Sequence, residues 1–179
     1  LRPSCLFSVQ MLDLYLSCPQ NSGLLTESQL REVYTLLEPN LVSSSHSVRL
    51  ITSHLLSLFP VVLPDYNDGL TRESVFKIMY EAERMVPTVH CYREKLVHLR
   101  KLEYNCIFKC LPSQFYRKAP LLFLLGNEFW NFKLMWEPLA ELISSHAQEL
   151  DSEEFWEVMF NQLKNAAQGS EKELEVQAA

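Results

Sequence analysis

Apolar side chains recur every three or four residues along most of this chain, and the stretches between the recurrences are short and rich in proline and polar residues. The clearest case is 43–59, SSSHSVRLITSHLLSLF. Three serines precede Val48-Arg49, and Val48, Ile51, Leu55, Leu58 and Phe59 follow at spacings that build one helical stripe. Just upstream, Thr26 to about Leu37 carries a shorter amphipathic pattern. Thr26 and Gln29 stand three apart, the arrangement of a capping box, and Glu38-Pro39 closes the segment.

The same period continues on both sides. A first helix is expected over Ser4 to Ser17, apolar on most sides as if buried between neighbours, and stopped by the turn residues of 18–23. A fourth is expected from Thr71 to about Met85, with Val75, Ile78, Met79 and Ala82 inward and Pro87 as the break. A fifth runs from His90 to about Tyr104, with Tyr92, Leu96, Leu99 and Leu102 on one face. The stretch 105–118 is less regular. Helical pattern returns over 119–149, with a break near Gly126-Asn127 and a bend before Pro138. A last helix is expected from Ser152 to about Ala167, its acids Asp151, Glu153 and Glu154 placed where the helix dipole favours them.

Two helices of this kind joined by a turn span about thirty-five residues, the scale of HEAT and armadillo repeats, and such a unit must stack on neighbours to bury its face. The expected fold is therefore all-α, a HEAT/armadillo-like α-solenoid of stacked helix pairs over 1–167. Residues 168–179 are expected to be a polar, acidic and frayed tail or linker. Only four glycines occur in 179 residues, which argues against a β-sandwich or barrel and against a phosphate-cradling loop.

Charge sharpens the picture. The net charge is −6 but unevenly spread. Residues 1–92 sum to −3, 93–118 to +5 and 119–179 to −8. A protein gripping nucleic acid along its whole length would not be built so. The basic band is the candidate contact surface. At 100° per residue, Arg93, Arg100 and Lys101 fall on a face turned away from the Tyr92/Leu96/Leu99/Leu102 stripe. Lys109, Arg117 and Lys118 extend the positive charge. Such a band suits RNA phosphates or an acidic partner. The plainer alternative is a solvated helix face, partly neutralised by Glu94 and Glu103.

Other chemistry is thinly represented. Cys106 and Cys110 stand four apart, with His90, Cys91 and His98 upstream, but no second tight pair completes a zinc pattern. They read as small buried hydrophobes. No nucleophile elbow, His-Glu-x-x-His or Walker loop occurs. Acid pairs such as Glu81/Glu83 and Glu153/Glu154 read as solvated charges on helices. The aromatic group Phe123, Phe129, Trp130, Phe132 and Trp136 reads as core packing. No catalytic residue, metal site or cofactor is expected. Five cysteines, an odd number at scattered positions, fit reduced thiols of a cytosolic or nuclear protein. Leu1-Arg2-Pro3 shows no initiator methionine and no signal-peptide pattern, so the chain is expected to be a piece of a longer protein.

Several long strings carry a family resemblance. Tyr92-Arg-Glu-Lys-Leu-Val-His-Leu-Arg-Lys-Leu102 and Glu141-Leu-Ile-Ser-Ser-His-Ala-Gln-Glu-Leu150 are two; Phe132 to Glu137 with Pro138-Leu139, and Phe155-Trp156, are others. From about Ser47 to Leu174 the chain resembles the small-subunit processome component twenty homologues, the down-regulated-in-metastasis family. Residues 103–118 depart from that family's strings. The resemblance implies an internal segment of a very large nucleolar solenoid of HEAT-like repeats, a scaffold without catalytic activity or cofactor. Its implied partners are processome proteins, pre-ribosomal RNA or snoRNP, and the neighbouring repeats of the same long chain. No membrane or small-molecule substrate is implied. Two further readings stay open: a direct RNA-binding helical module using 93–118, and a generic helical protein–protein adaptor.

Overall fold

The Thr26 signal places the start of the second helix at Glu27. Thr26 Oγ1 accepts from the backbone N–H of Gln29, and Gln29 Oε1 accepts from the Thr26 N–H at 2.9 Å, so the capping box is formed. A computed structural model describes residues 3–21, 23–60, 73–103, 111, 113–148 and 150–178. In it the chain is all-helical, with eight α-helices and no strand among the described residues. They are α1 (Pro3–Ser17), α2 (Glu27–Leu37), α3 (His46–Ser57), α4 (Val75–Arg84), α5 (Tyr92–Arg100), α6 (Ala119–Asn127), α7 (Lys133–Ala147) and α8 (Ser152–Ala178). Short 3-10 turns at Glu38–Val42 and Gln114–Tyr116 lead out of α2 and into α6.

α3 and α4 form the central pair, with α1 laid on α3 and α5 on α4. α6 returns to pack on the 38–42 turn and on α4, and α7 bridges α5 and α6. The α4 stripe is as expected: Val75, Ile78, Met79 and Ala82 are all buried. Along α3 and just past its end, Val48, Leu55 and Phe59 are buried, but Ile51 and Leu58 are only half-buried, because the helix is rolled so that Leu56 also enters the core. An aromatic group joins the layers. Tyr116 meets Tyr34 and Phe76 edge-on at centroid distances of 4.8 and 5.3 Å, and Phe59 meets Phe76 at 5.9 Å.

Four features depart from the sequence pattern. Among the described residues α1 is covered on one side: Leu16 is buried and Val9 and Leu12 pack on the core, while Phe7, Met11 and Leu14 stand exposed. α5 ends at Arg100 rather than near Tyr104, and residues 104–110 lie outside the described part. Of the five aromatics around α6 and α7, Phe123 is in the core, but Phe129 and Trp136 are exposed. α8 does not stop near Ala167; its backbone continues as helix to Ala178. Glu, Lys, Gln and Ala fill that stretch and all favour helix, which outweighs the single Gly169.

Candidate functional site

α5 carries the basic residues, and a buried polar network beneath it sets its position. Glu83, on α4, is fully buried rather than solvated. Its Oε1 accepts from Nε of the equally buried Arg49 at 2.9 Å, and its Oε2 accepts from Nδ2 of Asn127 at 3.1 Å. The Arg49 Nη1 also donates to the Ser43 carbonyl at 2.7 Å. Lys95 of α5 reaches inward and donates from Nζ to the Ala82 carbonyl at 2.8 Å. His46 Nε2 lies 3.0 Å from the Glu83 carbonyl oxygen. The Trp130 ring stands against both cations, with its centroid 5.5 Å from Arg49 Cζ and 5.6 Å from Lys95 Nζ.

This arrangement is a lock. Both Glu83 oxygens are occupied by donors, and the cations are closed off from solvent. Burial pushes the Lys95 ammonium down to about 8; the Glu83 carboxylate opposes that shift and the Arg49 guanidinium adds to it. Two cations against one carboxylate are costly to bury, and the carbonyls of Ser43 and Ala82 together with the Trp130 face supply the remaining compensation. Four segments distant in sequence are tied in one place: α3, α4, α5 and the end of α6.

On the outer side of α5, Arg93, Arg100 and Lys101 are exposed while Leu99 and Leu102 are buried, so the three cations do lie away from the packed stripe. Arg93 donates from Nε to Tyr92 Oη at 3.2 Å. Arg100 makes no ion pair among the described residues. Lys101 Nζ stands 3.8 Å from Glu73 Oε2, both groups half-exposed. The other end of the band is committed elsewhere. Arg117 pairs with Glu154, and Lys118 Nζ donates to Glu157 Oε2 at 3.0 Å, so these two hold α8 against the body. Lys109 lies outside the described residues, as do Cys106 and Cys110. The structure thus brings Arg93, Arg100 and Lys101 onto one short helix and its C-cap, and separates Arg117 and Lys118 from them in role.

Among the described residues no group of three or more His, Cys, Asp or Glu is placed to hold a metal ion. Cys91 Sγ sits 3.0 Å from the Val86 carbonyl oxygen. His54 Nδ1 and Asp13 Oδ1 are 2.6 Å apart and link α3 to α1, while Ser57 Oγ turns to the His54 carbonyl rather than to its ring. No helix among the described residues is long and apolar enough to cross a membrane. No model of a known protein family matches this chain.

Proposed function

We propose that this chain is a non-enzymatic scaffold segment of a nucleolar ribosome-biogenesis factor, built from HEAT-like stacked helix pairs and acting in small-subunit processome assembly and pre-rRNA processing. The long strings at 92–102 and 141–150 support the family, and the all-helical fold agrees with it. One structural observation carries the scaffold reading: the outer face of α1. Phe7, Met11 and Leu14 stand exposed at spacings of four and three, an apolar ridge on the first helix, as a repeat presents to the repeat before it. The partners are processome proteins and pre-ribosomal RNA or snoRNP, met through Arg93, Arg100 and Lys101.

Reversing Arg93, Arg100 and Lys101 to Glu tests this. Helicity by circular dichroism should be retained, and incorporation of the parent protein into pre-ribosomal particles should fall. A triple variant that enters particles like the wild type overturns the contact role and leaves the segment a spacer. A second reading, direct RNA binding by this chain alone, is favoured by the exposure of Arg93 and Arg100 and by the ability of guanidinium to grip phosphate with two donors. Affinity that falls steeply with salt supports it. Co-purification with partners unrelated to ribosome assembly would support the adaptor reading instead.

A further inference from the structure

Among the described residues α8 packs on the body through one side. Val158 is buried, and Phe155 and Met159 pack on the core. On the opposite side Trp156, Phe160 and Leu163 are 53%, 63% and 60% exposed, and Ala167 is exposed beyond them. These four follow spacings of four, three and four. That is the a/d seam of a coiled coil, and it lies along a helix whose polar face alone would not account for three large apolar side chains in water.

The charges beside this seam are self-complementary. At 100° per residue, Glu157 and Lys164 both fall on the same flank, about 70–90° from the seam's centre. When two such helices run antiparallel, equivalent flanks meet, so Glu157 faces Lys164 of the other copy, twice by symmetry. In the same register the side-chain sizes match. Trp156 comes opposite Ala167, and Phe160 opposite Leu163. Lys118 occupies Oε2 of Glu157, yet leaves that side chain 60% exposed. α1 offers nothing equivalent, since its one charge, Asp13, is tied to His54.

We propose that α8 pairs antiparallel with α8 of a second copy of this chain, with the Trp156–Ala167 and Phe160–Leu163 layers as its core and the Glu157–Lys164 pairs as its specificity. The overlap is short, about 16 Å of helix. The dimer therefore forms in the micromolar range rather than the nanomolar. This inference is independent of the ribosome-assembly reading, because it concerns what the chain does with itself in solution.

Sedimentation equilibrium of the full 179-residue chain over a range of about 5–200 μM tests it. The wild type should pass from monomer to dimer. Trp156→Glu should be monomeric with an unchanged circular dichroism spectrum. Lys164→Glu should weaken the dimer about tenfold, Glu157→Lys at least as much because it also loses the Lys118 contact, and the double variant should bind more tightly than either single one. A chain monomeric throughout overturns the proposal. So does a dimer indifferent to the single reversals, a double variant as weak as the singles, or association abolished by Phe7→Glu but not by Trp156→Glu.

Discussion

A methyl group added to Gly126 would stand 2.0 Å from the carbonyl oxygen of Leu41. The same group would stand 2.8 Å from Arg49 Cδ. The obstacle is backbone, so a rotamer change cannot relieve it. α6 and the 38–42 turn touch here, and the contact is as close as it is because residue 126 has no side chain. Gly126→Ala should gain up to about 1 kcal/mol of helix propensity and still lose about 3 kcal/mol net, since α6 must move off the turn. A urea melt of the two proteins measures it, and a variant as stable as the wild type would show that the two elements separate freely.

The Glu83 carboxylate is the one anion between two buried cations. Glu83→Gln keeps the shape and removes the charge, which leaves Arg49 and Lys95 uncompensated. The expected loss is about 3–5 kcal/mol. Arg49→Met combined with Glu83→Gln should cost less than the two single changes added together, because each single variant strands its partner. Additive losses in a double-mutant cycle would mean the pair is not coupled.

His146 is buried in α7, and burial holds its imidazole below the ordinary range, partly offset by a hydrogen bond to the Leu102 carbonyl. In the unfolded chain the ring takes a proton near about pH 6.5, while the folded ring stays neutral to lower pH. The unfolded state therefore binds more protons below that pH. Stability is complete above it and declines as pH falls. His146→Leu should flatten the stability–pH curve between about pH 5 and 6.5 relative to the wild type. Parallel curves for the two proteins would remove His146 from the account.

The two ends of the basic band should behave differently toward RNA. Arg93→Ala with Arg100→Ala should reduce the slope of log affinity against log salt by about one to two, as expected for loss of one or two phosphate contacts. Arg117→Ala should leave that slope unchanged and instead loosen α8, because its partner is Glu154. Equal slopes for all variants would mean that the α5 face does not meet phosphate.

The helices were legible because their apolar stripes have a clean period, and the capping box at Thr26 and Gln29 was legible from two letters. The buried network was not, although its signal was present. On α5, Lys95 falls at about −60° from Tyr92, between the directions of Leu99 and Leu102 and so inside the stripe. On α4, Glu83 falls between Met79 and Phe76, and on α3 Arg49 lies about 20° from Leu56. A charged residue scored by polarity alone is assigned to water. Charged residues of opposite sign inside apolar sectors of successive helices are better assigned to one another. α1 raises a related point. An all-round apolar helix predicts burial, but periodicity does not say whether the covering surface lies within the same 179 residues.

The lock formed by Arg49, Glu83, Lys95 and Asn127 also constrains how this sequence can drift. Each member is tolerated inside the protein only while the others are there. No single replacement among them is a small step, and an all-apolar interior cannot be reached by changing them one at a time. Related chains should therefore keep the set whole or have exchanged it whole, with these positions varying together across segments up to 78 residues apart.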